Sequence, residues 1–172
     1  MKKLIFTTLF TLFLGFSMAQ EAPKTKSFSL PSVDIKTIDG KSFNTKDIQN
    51  DGKPIIICFF ATWCKPCMVE LKSIAEVYDD WQDETGVKIY AVSIDDSRSS
   101  AKVLPLVNGN AWDYEVLLDE NQDFKRALNV NDIPHTFILN ANKEVVWQHA
   151  SYAPGVEQEY IEIVKKLLEE KP

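Results

Sequence analysis

Apolar and polar positions alternate along the chain in a way that predicts short strands separated by helices. Residues 55–60 form a continuous apolar run, which is typical of a strand buried on both faces of a sheet. Residues 64–81 carry apolar side chains at spacings of three and four, which predicts a helix with one buried face. A second strand is predicted over residues 88–94 and a short one over residues 115–118.

Two hairpins are predicted, one on each side of this pattern. Residues 34–37 and 42–44 would pair as a β-hairpin, because Asp39-Gly40 is a favoured tight-turn pair. Residues 136–139 and 144–149 are predicted to form a second pair of strands joined by a short polar turn. Both hairpins would extend a sheet built around the central apolar strand.

The segment after the second central strand predicts another helix. Residues 97–107 have a helical pattern, although Pro105 would break or kink it. Asp95 and Asp96 follow a strand and are expected to cap this helix.

The last part of the chain predicts two more helices. Asn121 is expected to cap a helix that ends near Leu128. Residues 156–168 form a closing amphipathic helix. Strands alternating with helices, followed by a hairpin and a final helix, predict an α/β fold with a central mixed sheet flanked by helices on both faces.

The N-terminus has the layout of a secretory signal peptide. A basic pair precedes an apolar stretch over residues 4–16, and Ser17 and Ala19 are small residues three and one positions before an expected cut ahead of Gln20. The apolar stretch is shorter than the roughly 20 residues that span a bilayer, so a cleaved signal peptide is favoured over an uncleaved membrane anchor. We therefore expect an exported, periplasmic protein.

The rest of the chain is expected to form one domain. Residues 1–19 would be the signal peptide, residues 20–27 a flexible leader, and residues 28–172 the domain.

The formal net charge is −6 and no basic stripe is present, which argues against a nucleic-acid partner. A domain of this length can bury a hydrophobic core large enough to fold without a stabilising disulfide bond. A monomer is expected.

The chain has three cysteines, an odd number that cannot pair completely within one molecule. Cys64 and Cys67 are close enough to bridge each other, which leaves Cys58 alone. So small a loop gives little entropic stabilisation, and the pair is better suited to redox exchange. The alternative is a zinc half-site, but a structural zinc needs four ligands, and the chain adds only Cys58, His135 and His149.

Cys64 falls where the central strand passes into the predicted helix. Free N–H groups and the helix dipole favour a thiolate there, and only the thiolate attacks a disulfide. Lowering a cysteine pKa from ~8.5 to ~7 raises the thiolate fraction at neutral pH from a few per cent to roughly half. Lys65 adds a positive charge. Cys67, one turn further, could attack a mixed disulfide at Cys64, while Pro66 is tolerated in the first helical turn.

Two segments of the chain resemble a known family. Residues 59–67, Phe-Phe-Ala-Thr-Trp-Cys-Lys-Pro-Cys, resemble the active-site signature of the thioredoxin-like TlpA/ResA family of exported thiol–disulfide oxidoreductases. Residues 133–139, Ile-Pro-His-Thr-Phe-Ile-Leu, resemble the proline segment that faces the cysteines in that family. The two segments occur in the expected order and at about the expected separation. The resemblance implies a thioredoxin-like fold with an N-terminal β-hairpin and a central insertion.

The resemblance also implies a role for each matching residue near the cysteines. Cys64 would be the exposed attacking thiol and Cys67 the resolving thiol. Trp63 would pack beside the disulfide and, with Pro66, lie on the partner-binding surface. Glu70 matches a glutamate that the family places near the cysteines to handle protons. On sequence alone, Glu70 could also be a solvated carboxylate on the helix surface.

The proline segment is assigned in the same way, and it includes a departure from the family pattern. On sequence alone Pro134 could be cis or trans; the resemblance implies cis, with the Ile133 backbone placed to pair with a bound peptide. His135 replaces a more usual threonine, and it could tune the cysteines, contact a partner or be an ordinary loop residue. Cys58 stands where thioredoxins carry a buried carboxylate, and it is expected to be structural rather than a third redox thiol.

The function that the resemblance implies is reduction of disulfides in exported proteins by exchange through Cys64 and Cys67. The redox-active disulfide would be the only redox group, with no organic cofactor and no metal. A membrane-embedded thiol reductase is the expected electron donor, and apocytochromes c are candidate clients.

Two other functions are considered. A thiol peroxidase of the peroxiredoxin type needs a threonine further from the cysteine than Thr62 and an activating arginine, for which only Arg98 and Arg126 are available. A copper-delivery protein would use Cys64, Cys67 and His135 as ligands, since thiolates suit Cu(I).

Overall fold

The computed structural model describes residues 27–170. The predicted signal peptide over residues 1–19 and nearly all of the predicted leader lie outside the described residues. From residue 27 to residue 170, no helix combines the length and the apolar character needed to cross a bilayer.

A mixed eight-stranded sheet forms the centre of the described part of the chain. Its strands, in chain order, are β1 (Phe28–Ser29), β2 (Asp34–Thr37), β3 (Ser42–Asn44), β4 (Ile55–Phe60), β5 (Lys88–Ser93), β6 (Glu115–Leu118), β7 (His135–Leu139) and β8 (Glu144–Ala150). Their order across the sheet is β1-β8-β7-β4-β5-β6-β2-β3. Strand β4 runs parallel to β5 and antiparallel to β7, so the sheet is mixed, as predicted.

Five α-helices accompany the sheet in residues 27–170. They are α1 (Lys65–Ala75), α2 (Tyr78–Thr85), α3 (Val103–Asn110), α4 (Asp123–Ala127) and α5 (Val156–Glu169), with short 3-10 turns at Thr45–Asp47 and Ser100–Lys102. The predicted closing helix and both predicted hairpins are confirmed. In the first hairpin, Gly40 has φ +83°, a conformation that glycine adopts without strain.

Strand β4 lies at the centre of the core, and all six of its residues are buried. Neighbouring side chains of a strand point to opposite faces of the sheet. Phe59 packs against Phe124 of α4, with ring centroids 5.4 Å apart, and Phe137 of β7 lies on the same side. Cys58 points to the other face, where α1 and α5 pack. The helices therefore cover both faces, as the alternating pattern predicts.

The single helix predicted over residues 64–81 is wrong, because the chain forms two helices there. Helix α1 ends at Ala75 and α2 begins at Tyr78, with Val77 between them at φ −124°, ψ 0°. Ile74 and Tyr78 are both buried and remain four residues apart across the break. The spacing of apolar residues therefore does not reveal the break between the two helices.

The expected break at Pro105 is also wrong. Pro105 is the third residue of α3, and a proline in the first turn removes no intrahelical hydrogen bond. The helix therefore begins later than predicted and continues past the proline. Asp96 accepts hydrogen bonds from the backbone N–H groups of Arg98 and Ser99 and so stabilises the turn that precedes α3.

Asn121 does not cap α4, contrary to the prediction. The N-cap residue is Gln122, in a left-handed conformation with φ +59°. The carboxylate of buried Asp119 instead accepts hydrogen bonds from the backbone N–H groups of Phe124 and Lys125. The left-handed residue turns the chain so that a carboxylate four residues before the helix reaches its first free donors.

Candidate active site

The predicted redox pair lies where β4 passes into α1. Cys64 and Cys67 form a disulfide with an S–S distance of 1.99 Å and a Cα–Cα distance of 5.3 Å. Cys64 is the N-cap of α1, and its Sγ accepts a hydrogen bond from the backbone N–H of Cys67 at 3.2 Å. Pro66 lies in the first turn of α1. Once the disulfide is reduced, the same helix end stabilises a Cys64 thiolate.

The two cysteines differ in their access to solvent. Cys64 is 5% exposed and Cys67 is 0% exposed, so the expectation of an exposed Cys64 is wrong for this oxidised state. The disulfide and the start of the helix cover most of Cys64, because its side chain turns back onto the first turn of α1. Of the two cysteines, Cys64 is nevertheless the one that retains exposed surface.

Trp63 is the most exposed large apolar side chain beside the cysteines, with 67% of its surface exposed. It borders an open groove of about 570 Å³ that is also lined by Ile94, Asp96, Arg98, Ser99, Lys102 and Gln122. An exposed indole next to a reactive disulfide is typical of a surface that contacts another molecule. Trp63 therefore lies on the surface beside the disulfide rather than in the core.

The loop before Cys64 is anchored by a buried carboxylate. Asp95 is 1% exposed, and it accepts hydrogen bonds of 2.7 Å from both the backbone N–H and the hydroxyl of Thr62. The hydroxyl of Ser93 donates to the same carboxylate at 2.8 Å. Asp95 therefore does not cap the next helix, contrary to the prediction. It joins the loop that carries the cysteines to the end of β5.

Glu70 lies in the core and not on the helix surface, and it is 1% exposed. Its Oε1 accepts a 3.0 Å hydrogen bond from the hydroxyl of Thr136 and a 2.6 Å hydrogen bond from the hydroxyl of Tyr160. Glu70 follows Cys67 by three residues on α1, so the two side chains share one face of the helix. Burial raises the pKa of the Glu70 carboxyl, and the two hydrogen bonds oppose this rise.

Cys58 is the free cysteine of the described chain, and it is 1% exposed. The hydroxyl of Thr136 lies 3.5 Å from its Sγ. Burial, and then the nearby charge of Glu70, raise the pKa of the Cys58 thiol well above its usual value. A thiol in this setting stays protonated at neutral pH and is a poor nucleophile.

The proline segment forms the start of β7. The Ile133–Pro134 peptide bond is cis, as the resemblance implies. The backbone N–H of Ser151 donates to the carbonyl of Pro134 at 2.9 Å, which ties the segment to the end of β8. Ile133 is partly buried against the core.

His135 is half-buried and packs between two neighbours. Its ring stacks on Phe137 with centroids 4.6 Å apart, and its Nε2 lies 3.1 Å from Oε1 of Gln148. Its Nδ1 is buried and has no hydrogen-bond partner in the protein. Burial lowers the pKa of the imidazole, which therefore favours the neutral form. His149, on the neighbouring strand β8, stacks on Trp147.

The residues that the two alternative functions would use have other partners. Thr62 donates to Asp95, Arg98 pairs with Asp96, and Arg126 pairs with Asp123. Between residues 27 and 170, no three His, Cys, Asp or Glu side chains converge in a way that could hold a metal ion.

Comparison with known proteins places the chain in a family. Residues 19–148 match the model of the AhpC/TSA family. The chain belongs to the AhpC/TSA family. It is 30% identical over 139 residues to the thiol-disulfide oxidoreductase ResA of Bacillus thuringiensis strain Al Hakam, covering 81% of this chain and 77% of that protein. It is 28% identical over 143 residues to the sporulation thiol-disulfide oxidoreductase A of Bacillus subtilis, with coverages of 82% and 84%.

A solved structure shares the fold of this AhpC/TSA-family chain. An uncharacterized thioredoxin-like protein from Porphyromonas gingivalis superposes with a TM-score of 0.75 at 55% identity, covering 83% of this chain and 94% of that one. The thioredoxin-like α/β fold implied by the two sequence segments is confirmed. With a disulfide between Cys64 and Cys67 and with oxidoreductases as relatives, the chain is a thiol–disulfide oxidoreductase.

Sequence reasoning missed three polar residues that shape the site of this AhpC/TSA-family chain. Asp95 holds the loop, while Thr136 and Tyr160 hold Glu70. Tyr160 lies on the buried side of the closing amphipathic helix and is fully buried. A buried tyrosine hydroxyl needs a hydrogen-bond partner, and this requirement was the signal that a polar group lay opposite.

Proposed function

We propose that this chain reduces disulfides of exported proteins in two exchange steps, with Cys64 as the attacking thiol and Cys67 as the resolving thiol. The observation that carries the proposal is the Cys64–Cys67 disulfide at the N-terminus of α1, of which only Cys64 contacts solvent. The helix end lowers the pKa of a thiol at that position, so the reduced Cys64 is the stronger nucleophile of the two.

In the first step the Cys64 thiolate attacks one sulfur of a partner disulfide. A bond forms between Cys64 and that sulfur, the partner's S–S bond breaks, and the other partner sulfur leaves as a thiolate. In the second step the Cys67 thiolate attacks Sγ of Cys64. The Cys64–Cys67 disulfide forms and the partner leaves fully reduced, so two electrons have passed from the cysteine pair to the partner.

Glu70 is proposed to handle the proton in the second step. Cys67 must lose its proton before it attacks, and Glu70 lies one helical turn away on the same face of α1. Its carboxylate would take the proton from Cys67 and become neutral, which its buried setting tolerates. The Cys58 thiol is not used in this scheme, because it is buried and stays protonated.

The partner surface is proposed to include Trp63, Pro66, the Ile133 backbone and His135. Trp63 and Pro66 are exposed at the start of α1, and Ile133 and His135 flank the cis proline. The electrons reside in the cysteine pair, so the reaction needs no organic cofactor. A membrane-embedded thiol reductase is the proposed donor, and apocytochromes c that carry a disulfide are proposed clients.

The direction of electron flow is tested by the equilibrium potential of the Cys64–Cys67 couple against glutathione. A value near −270 mV supports a reductase, because a couple with so low a potential donates electrons to most protein disulfides. A value near −120 mV, typical of a strong oxidant, would overturn the proposed direction while leaving the exchange chemistry intact.

Export is proposed from the N-terminal layout of the sequence, with cleavage between Ala19 and Gln20. The mass of the protein recovered from a periplasmic fraction tests it. A chain that begins at Gln20 is expected. A full-length chain recovered with the membrane would show that the segment is kept as an anchor.

A further inference from the structure

Tyr160 occupies a place in the site that the exchange steps above leave unexplained. It is fully buried on α5, and its hydroxyl donates a 2.6 Å hydrogen bond to Oε1 of Glu70 on α1. Its ring is held in place by Trp147 of β8, with centroids 5.3 Å apart and the rings tilted by 67°. A phenol this deeply buried and this close to a carboxylate is placed to act on that carboxylate.

We infer that Tyr160 is a positioning residue that sets when Glu70 can accept a proton from Cys67. The inference rests on the proposed role of Glu70 in the second exchange step. Tyr160 contacts neither cysteine of the pair through a hydrogen bond; it acts through Glu70 alone.

The arrangement of donors around Glu70 gives the physical reason. The hydroxyls of Tyr160 and Thr136 both donate to Oε1, and within residues 27–170 no hydrogen bond is made to Oε2. Two donors on one oxygen stabilise the carboxylate and fix its orientation, and the other oxygen remains available for a proton. Without them, burial would raise the pKa of Glu70 further, and a smaller fraction of Glu70 would be in the carboxylate form that accepts a proton.

The proton balance of the step is simple. The thiol of Cys67 gives its proton to the Glu70 carboxylate, and the resulting thiolate attacks Sγ of Cys64. The partner sulfur leaves as a thiolate and takes a proton from water. The hydroxyl proton of Tyr160 stays on its own oxygen throughout, because burial and the charge of Glu70 raise the pKa of the phenol.

Other titratable groups also surround Glu70, and their effect must be separated from that of Tyr160. They come from four parts of the fold: Cys67 on α1, Cys58 on β4, Tyr114 just before β6, and Glu157 and Tyr160 on α5. Cys58 and Tyr114 stay neutral at the pH of the reaction, since burial raises the pKa of both. Tyr160 is the titratable residue of this set that donates a hydrogen bond to the Glu70 carboxylate.

The test uses the reaction of the reduced chain with the disulfide DTNB, which releases one coloured thiolate in each exchange step. The second release reports the attack by Cys67, and its rate is followed against pH. In Tyr160→Phe, the midpoint of this profile is expected to move upward by about one pH unit, because a hydrogen bond to the carboxylate is lost. The rate of the second release is expected to rise with pH as Glu70 ionises. In Glu70→Gln this rise is expected to disappear, and adding Tyr160→Phe to Glu70→Gln should not change the profile further.

A matched control is available in Tyr114. It is also a buried tyrosine whose hydroxyl contacts α1, but it donates to the backbone carbonyl of Leu71 at 2.7 Å. Tyr114→Phe is expected to keep the wild-type midpoint. A Tyr160→Phe profile with the wild-type midpoint, or an equal shift in Tyr114→Phe, would show that Tyr160 only stabilises the fold.

The outcomes also separate this inference from the proposal on which it rests. If Glu70→Gln keeps the wild-type profile, the role of Glu70 fails and this inference fails with it. If Glu70→Gln removes the rise and Tyr160→Phe leaves it unmoved, only the inference fails. If Tyr160→Phe does not fold, the test is made on the unmodified chain by NMR. The chemical shift of the Tyr160 Cζ resonance is expected to change with pH as Glu70 titrates. A chemical shift that stays constant through that titration would overturn the inference.

Discussion

Thr62 and Asp95 are joined by two hydrogen bonds of 2.7 Å, one from the backbone N–H of Thr62 and one from its hydroxyl. Thr62 precedes Cys64 by two residues, and Asp95 directly follows Ile94, whose own N–H donates to the carbonyl of Phe60 at the end of β4. The loop that presents the cysteine pair is therefore bound at both its start and its middle to the end of the neighbouring strand.

Replacing Asp95 with alanine is expected to lower the free energy of unfolding by about 3 kcal/mol, because it leaves the part-buried N–H and hydroxyl of Thr62 and the buried hydroxyl of Ser93 without an acceptor. Urea unfolding of the oxidised chain measures the change. Glu84→Ala is the control, since Glu84 is exposed on α2 and pairs with Lys165 at the surface. Its loss should cost less than about 1 kcal/mol, and equal costs for the two variants would contradict the anchoring role of Asp95.

Replacing Cys67 with serine is expected to stop the reaction after the first exchange step. Cys64 can still attack, but nothing resolves the mixed disulfide, so the partner stays covalently attached. Mass spectrometry of the variant after incubation with a disulfide-containing peptide should show one attached peptide. Cys64→Ser should show none. Attachment of the peptide to Cys64→Ser would instead make Cys67 the attacking thiol.

Replacing Cys58 with valine is expected to leave exchange rates unchanged and to alter the free energy of unfolding by less than about 1.5 kcal/mol. The thiol is buried, and the substitution keeps a small apolar side chain in the core. Thiol titration of the oxidised native chain should detect no reactive thiol, and titration after unfolding should detect one. A clear loss of exchange activity in Cys58→Val would identify Cys58 as a third redox thiol.

The raised pKa of Glu70 predicts how stability depends on pH. The folded state holds the Glu70 proton more tightly than the unfolded state does, so stability falls as pH rises from the ordinary glutamate pKa through the raised one. Glu70→Gln cannot ionise, and its free energy of unfolding should therefore lack this part of the decline. Urea unfolding at a series of pH values checks the prediction.

The exposed Glu159 on α5 supplies the control for that series. Glu159→Gln removes a carboxylate without changing a buried group, and its pH dependence should follow that of the unmodified chain. If Glu70→Gln declined with pH as steeply as the unmodified chain, the raised pKa of Glu70 would be wrong.

The sequence was sufficient to predict seven of the eight strands, because these are short runs with a clear pattern; strand β1 (Phe28–Ser29) was not predicted. Residues 55–60 are all buried, and the turn at Asp39-Gly40 joins the strands it was expected to join. Cys64 and Cys67 were identified from their spacing and their place after a buried strand. Local patterns of this kind contain enough information to find elements that are close in sequence.

The contacts between distant residues could not be predicted in the same way. Glu70 and Tyr160 are ninety positions apart, and Thr62 and Asp95 are thirty-three apart. Such pairs depend on how helices pack across the sheet, which apolar spacing does not specify. The same holds for Asp119, whose capping role follows from the left-handed turn at Gln122.

The position of Cys67 on the helix that carries Cys64 determines the kinetic order of the resolving step. Because the attacking sulfur belongs to the chain that holds the partner, this step is unimolecular, and its rate does not depend on protein concentration. The resolving step therefore sets an upper limit on the lifetime of the covalent complex. Dissolved thiols that attack the Cys64–partner bond can shorten that lifetime, and their absence does not lengthen it beyond this limit.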